Sequence, residues 1–333
     1  MATKINDPLR FRIELTVSCR DCDALPKVVG AGQIDARAGV QLMHNGIRVV
    51  AGGYHGAWMT EVIERLNGHH EPQEEVVFQS ILTHVPSKAT MLELGGFWSY
   101  YSLWFLDEAP ETRRAIVLEP DPANLDVGQR NAALNNARGI EFLQASAGLK
   151  SLEPRPFKSE SSGTIIIPQV SVPDLLAARF IDHLDILHCD AQGAELDVLR
   201  SCETLLRQRR IDFAVFSTHA HQISGDPLTH QRCLSLVEDF GGRIIAEHDV
   251  HESFSGDGLI AAYFGARQLD WVAPNMSYNR YSNAIFPNPL HDLFEAHERL
   301  DALYAELAAV KASSSWRITA PDPALRTGNQ TIA

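Results

Sequence analysis

The order of apolar and polar positions changes character twice along the 333 residues. Near the start, Phe11, Ile13, Leu15 and Val17 alternate with Arg12, Glu14 and Thr16, the two-residue period of a half-buried strand. The apolar stretches Gly39–Met43 and Ile47–Val50 flank His44-Asn45-Gly46, and Asn-Gly between such runs predicts a β-hairpin. Trp58, Val62, Ile63 and Leu66 then recur at helical spacing. Residues 1–70 are therefore expected to form a small β-rich unit. Pro72, with Glu74 and Glu75 close behind, marks a helix start, the acids matching the helix dipole.

From about residue 86 short apolar runs alternate with helical segments. Strands are predicted at Thr90–Leu94, Ala115–Leu118, Ile140–Leu143, Leu184–His188 and Phe213–Phe216. Helices are predicted at Tyr100–Leu106, Ala123–Leu134, Glu195–Arg207 and His230–Phe240. Residues 148–163, rich in Ser, Pro and Glu, read as a surface loop, and Ile165–Ile167 as a minor strand. Arg243–Ala246 and Leu259–Phe264 have no helix between them and must run antiparallel. Repeated strand–helix units imply an α/β fold, a Rossmann-like doubly wound parallel sheet over 71–268 with its last strand antiparallel. Leu290, Leu293, Leu300, Leu303, Leu307 and Val310 recur at intervals of three, four and seven. They predict an amphipathic helix over 290–311, within a C-terminal extension 269–333, suited to pairing with a second copy or packing on a partner.

Charge and composition narrow the function. Lys plus Arg number 29 and Asp plus Glu 42, a net charge of −13 that repels phosphate backbones and excludes nucleic acid as the main partner. No apolar run approaches the roughly 20 residues of a membrane span, and Met1–Arg12 lacks the apolar stretch of a signal peptide. Five scattered cysteines fit reduced thiols, so the expected location is cytoplasmic. Cys19 and Cys22 form a CxxC without the second pair a zinc ribbon needs, and read as a turn.

Four groups can carry chemistry. Glu93-Leu94-Gly95-Gly96-Phe97-Trp98-Ser99 joins a strand to a helix, where small residues allow a sharp turn and close approach of a ligand. Glu119 ends the next strand, 24 residues past Gly95 and near the spacing of about 20 at which an acid accepts both hydroxyls of a ribose. Phe97 and Tyr100 stand where a dinucleotide fingerprint has its second and third glycines, so a cofactor without phosphates fits better. S-adenosylmethionine is such a cofactor, with Glu93 placed near its ammonium. His188-Cys189-Asp190-Ala191-Gln192-Gly193-Ala194-Glu195 lies at the end of a later strand, and helix capping is its plain alternative. His219 and His221 follow the next strand, and His248, His251 and Asp257 separate the last two. A histidine there can serve as general base, Asp190 with His219 or His221 can seat a divalent cation, or these are polar loop residues.

At these residues the sequence resembles the FkbM family of S-adenosylmethionine-dependent methyltransferases. Leu92-Glu93-Leu94-Gly95-Gly96 resembles the family's first motif, Leu118-Glu119-Pro120 its ribose-binding strand end, and Asp190 to Leu196 its D-x-x-G-x-E signature. The resemblance spans about residues 70–265. It implies the class I methyltransferase fold and O-methylation of a sugar, glycan or related natural product. The cofactor is then expected over Gly95 and Gly96, with Trp98 and Ser102 on its methionine side and Ala145 and Ser146 edging its adenine. Asp190, His219 and His221 are the candidate bases. The stretches Cys19–Lys27 and His69–Glu75 look like a subgroup found with polysaccharide biosynthesis genes. Ser313–Pro321 is similar to tails of bacterial glycosyltransferases and their partners, so the C-terminal helix is expected to join a second copy or a glycosyltransferase. Departures are Ser99 for a common glycine, Phe97 for a small polar residue and Gln192 for a frequent acid. Two rivals from other classes are a non-catalytic methyltransferase-like module docking to a glycan-biosynthesis partner and a nicotinamide oxidoreductase, which the missing glycines disfavour.

Overall fold

Asp7 determines the first element. Its side chain accepts from the Leu9 N–H at 3.0 Å and Pro8 takes the first helical position, so Pro8–Ser18 is helix α1 and not the strand its alternation predicts. The tertiary setting agrees with the cap: Ile13, Leu15 and Thr16 are buried, while Arg10 and Glu14 pair with Glu61 and Arg65 on the next helix. The computed structural model describes residues 7–280, 283–286 and 289–313. A 3-10 turn at Asp21–Ala24 carries Cys22; Cys19 and Cys22 are buried and unbridged, and burial pushes the Cys19 thiol up to about 12.

Strands β1 (Ile34–Asp35), β2 (Val40–Leu42) and β3 (Arg48–Val50) follow as an antiparallel sheet, β2 and β3 joined by the expected Asn45-Gly46 turn. Then come α2 (Ala57–Arg65), α3 (Pro72–Leu82), β4 (Thr90–Leu94), α4 (Tyr100–Asp107), β5 (Arg114–Leu118), α5 (Pro122–Leu134), β6 (Ile140–Leu143) and β7 (Ser146–Ala147). Residues read from sequence as a surface loop and a minor strand form a long hairpin, β8 (Leu152–Ser159) and β9 (Gly163–Val170). It buries little on either face, so it has no hydrophobic period to reveal it. Helix α6 (Val172–Ala178), capped by Ser171, was not in the predicted pattern. After β10 (Leu184–Cys189), the single helix expected over Glu195–Arg207 divides at Cys202 into α7 (Glu195–Ser201) and α8 (Glu203–Arg207). The unit closes with β11 (Ile211–Thr218), α9 (His221–Ser224), α10 (Thr229–Asp239), β12 (Arg243–His248) and β13 (Gly258–Tyr263).

The large sheet has seven strands in the order β12-β13-β11-β10-β4-β5-β6. Strands β11, β10, β4, β5 and β6 are parallel, and β13 runs antiparallel to both its neighbours. This is the class I methyltransferase topology. Its central strands are buried on both faces, and alternate residues enter different cores. Met91, Ile186, Phe213 and Val215 face one core; Leu92, Leu187, Ala214 and Phe216 face the other, under α6, α7, α8 and α10. The first core is completed by the N-terminal segment: Ile13, Met43, Val49, Met59, Val62 and Leu66 pack in one cluster with Phe78, Tyr100 and Trp104.

The described chain divides into two compact units, the first ending at Phe286. Leu269, Trp271 and Met276 pack against the first core, and Ser277 donates from its backbone and hydroxyl to Asp21 at 2.7 and 2.6 Å. The second unit contains α11 (Pro289–Ala312), on which Leu293, Leu300, Leu303, Leu307 and Val310 are exposed. The glycosyltransferase-like stretch from Ser314 to Pro321 lies outside the described residues. Among the described residues no helix is long and apolar enough to cross a membrane.

Candidate active site

A cleft of about 600 Å³ lies across the carboxyl ends of β4, β5, β6, β10 and β11. Each of those strands delivers a sequence-predicted residue to it: Gly95, Glu119, Ala145 with Ser146, Asp190 and His219.

The loop after β4 turns through left-handed backbone at Gly95, Phe97 and Ser99 (φ +76°, +37° and +60°). Only glycine fits at 95, because a Cβ there would lie far inside van der Waals distance of the Asp190 carbonyl oxygen. The N–H groups of Gly95 and Gly96 both donate to the Leu118 carbonyl, at 2.9 and 3.0 Å. That of Phe97 donates to Glu119 Oε2 at 2.9 Å. The three amides are thus committed within the protein and offer no nest for a pyrophosphate. Glu119 also accepts from the Asp121 N–H, at Oε1 and 2.8 Å, so its carboxylate is fixed in orientation while each oxygen keeps a lone pair. Burial pushes the Glu119 carboxyl up to about 7.

Asp121 caps α5 and also anchors the β8–β9 hairpin. It accepts from the hydroxyls of Ser159 and Ser161 and, at 2.7 Å, from the Ser161 N–H. Phe157, Lys158 and Glu160 of the hairpin thereby line the cleft beside Ala145 and Ser146.

At the other end the Asp190-to-Glu195 motif closes on His219. The buried Glu195 accepts from the Gly193 N–H at 2.9 Å and lies 2.8 Å from His219 Nδ1. Asp190 Oδ1 is 3.2 Å, and Asp257 Oδ1 3.7 Å, from His219 Nε2. Burial alone would lower the imidazole's pKa; Asp257, Asp190 and Glu195 outweigh it and hold it well above its ordinary value. Both ring nitrogens of His219 thus face carboxylates, an arrangement that favours its protonated form. For Asp190, burial is outweighed by His219 and the carboxyl is lowered, whereas burial pushes Asp257 up to about 7. A histidine raised in this way stabilises the fold fully below its unfolded value of 6.5, and that contribution is lost as pH rises through the folded value. Nitrogen-resolved NMR of histidine-labelled protein, with His219 assigned through His219→Gln, should show both of its ring nitrogens protonated at pH 8. A neutral ring at that pH would refute the imidazolium.

The remaining predicted residues are elsewhere. Glu93 is buried behind the glycine loop, accepts from the Ser102 N–H at 3.2 Å, and is pushed up to about 7 by burial. Gly96, Trp98 and Ser102 do not line the cleft; Trp98 stacks on Tyr54 at 4.5 Å and supports the wall from behind. His221, His248 and His251 do not line it either. Asp190, His219 and His221 do not form a metal-holding group; among the described residues the groups that could are His44, His69 and Glu75, and His183, Asp185 and Asp212.

Other lining residues were not anticipated: Arg12, Tyr54, His55, Trp58 and Glu71. The stretch around Pro72 shows why. Its acids do more than match a helix dipole: Glu74 Oε1 lies 2.7 Å from His188 Nε2 and accepts from Ser217 at Oε2, while Glu75 bonds to His69 and His70. Tyr101 donates to Glu71 at 3.0 Å. A run of acids and histidines too dense for a surface turn was the available signal.

Several known proteins are similar to this chain. The crystal structure of methyltransferase FkbM from Methylobacillus flagellatus KT shares 18% identity, with a TM-score of 0.43, over 62% of this chain and 54% of its own. The chain thus spans about half the length of that protein. Precorrin-6y C5,15-methyltransferase from Geobacter metallireducens GS-15 shares 13%, with a TM-score of 0.38, over 57% and 88%. The bifunctional kinase-methyltransferase WbdD shares 13%, with a TM-score of 0.38, over 61% and 42%. No curated protein sequence matches. Residues 82–244, from the end of α3 into β12, match the family described as the methyltransferase FkbM domain.

Proposed function

We propose that the chain is an FkbM-family, S-adenosylmethionine-dependent O-methyltransferase of the cytoplasm, acting on a hydroxyl of a sugar or glycan. The observation that carries the reading is the loop-to-Glu119 arrangement. A carboxylate oriented by two backbone amides has lone pairs left for a vicinal diol, beside glycines whose own amides are unavailable to phosphate. The family match over 82–244 supports it. In this reading Glu119 holds the ribose, Ala145, Ser146 and Phe157 edge the adenine, and Asp190 and Gly95 border the methionine end. Trp98 and Ser102 keep only a supporting place behind the wall.

The cofactor supplies a methyl group on a sulfonium. The protein must align an acceptor oxygen with it and remove a proton. Tyr54, His55 and Trp58 offer ring surface for the C–H face of a sugar, and Asp190 and Asp257 can accept its hydroxyls. Asp257 is the base, because a carboxyl pushed up to about 7 is a stronger base than the lowered Asp190. The exposed leucines of α11 suit pairing with a second copy or a glycosyltransferase.

The test is calorimetric titration with S-adenosylhomocysteine, with and without chelator, followed by methyl transfer to a sugar panel. Saturable one-site binding indifferent to chelator, with transfer to a hydroxyl, is expected. Folded protein that binds nothing would instead favour the non-catalytic docking module.

A further inference from the structure

We infer that the acceptor carries a negative charge, a carboxylate or a phosphate on the sugar, and that Arg12 recognises it. This rests on the methyl-transfer reading above.

Arg12 projects from α1 into the cleft. One of its five donors is spent on the Ser255 carbonyl, Nη2 to O at 3.0 Å. Among the described residues its Nη1 makes no hydrogen bond, and no carboxylate lies within ion-pair distance of its guanidinium. A guanidinium that lines the cleft with donors to spare and no carboxylate partner is placed to take an acceptor from the cleft. The guanidinium carbon stands 5.0 Å from the Trp58 ring centroid. Stacking holds the planar group and leaves its edge for an oxyanion, the bidentate geometry of carboxylate and phosphate recognition.

Position along the cleft assigns the charge to the acceptor. Glu119 marks the ribose end and Asp190 the transfer end; Ser255, which holds Arg12, is two residues from Asp257. Arg12 therefore lies at the Asp257 end of the cleft, close enough for its charge to act on that carboxyl. Tyr54, His55 and Trp58 occupy the same wall, so a ring can rest on the aromatics while its acidic substituent reaches Arg12. Glu71, Asp190 and Asp257 also line this cleft, and an anion placed against them would be repelled. Recognition at Arg12 thus fixes the sugar's orientation as well as its class. A uronic acid and a sugar phosphate share this chemistry.

The experiment begins with S-adenosylhomocysteine affinity of wild type and Arg12→Gln, which tests the underlying reading separately. The cofactor-loaded proteins are then titrated with methyl glucuronide, glucose 6-phosphate and methyl glucoside. In wild type at least one anionic sugar should bind about tenfold more tightly than the neutral one, a preference that shrinks with added salt. Arg12→Gln should bring the preference close to parity with cofactor affinity unchanged, and comparison of the two anions names the oxyanion. Should Arg12→Gln not fold, Arg12→Lys is read in the same way, with a reduced preference expected. A wild type without preference for either anion, including one that binds no sugar, overturns the inference. So does a preference that survives Arg12→Gln, or a loss confined to cofactor affinity, which would place Arg12 on the cofactor's own carboxylate.

Discussion

Glu119→Ala should weaken S-adenosylhomocysteine binding about 100-fold or more, as measured by calorimetry on folded protein. The two oxygens already accept from Asp121 and Phe97 at 2.8 and 2.9 Å, which leaves them aimed but not saturated. Each hydrogen bond from a ribose hydroxyl to a charged acceptor contributes about 1.5–3 kcal/mol, and two such bonds lost give the stated factor at their lower bound. Alanine also strands the Phe97 and Asp121 N–H groups, so the variant should melt earlier. Glu119→Gln keeps one oxygen for an amide and separates the effects: about tenfold weaker binding with a smaller change in melting. Because burial pushes this carboxyl up to about 7, wild-type affinity should decline as pH falls below that value and the acceptor becomes protonated. Near-normal affinity in Glu119→Ala would remove the residue from the cofactor site.

The second large effect concerns turnover. Asp257→Asn should lower kcat about 100-fold or more while cofactor affinity stays within a small factor, since general-base assistance is worth that much and Asp257 is assigned to the acceptor side. The wild-type rate should rise with pH through about 7, as Asp257 loses its proton, and Asp257→Asn should lose that limb. The charge state of His219 shapes the same profile. An imidazolium 3.7 Å away favours ionised Asp257, so His219→Gln should move the rising limb to higher pH. Unchanged turnover in Asp257→Asn would leave Asp190 as the base.

The contrast between what the chain's pattern disclosed and what it hid follows from locality. Strands such as Thr90–Leu94 and Ile140–Leu143 were legible to the residue because apolar runs bounded by turn signals are a local property. The pairing of Gly95 with Glu119 was legible through spacing, since parallel βα units return to the same sheet edge. At α1 two local signals conflicted, and the Asp7-Pro8 start prevailed over the alternation that followed. Trp98 does not line the cleft, and the backbone on either side of it is left-handed, at Phe97 and Ser99, a local feature that apolar spacing does not encode. Arg12, Tyr54 and Trp58 reach the cleft only through tertiary packing of the N-terminal segment, which leaves no trace in short-range pattern.

That packing bears on how the protein can be re-engineered. The cleft residues of the N-terminal segment sit on elements whose inner sides fill the same core as Phe78, Tyr100 and Trp104. Asn131 ties the two parts further, donating to the Trp98 carbonyl at 2.9 Å and accepting from the Val50 N–H at 2.8 Å. Cutting the chain down to 82–244 would strip one flank of the sheet bare, and grafting a foreign N-terminal segment would transplant half a hydrophobic interface along with any new substrate preference.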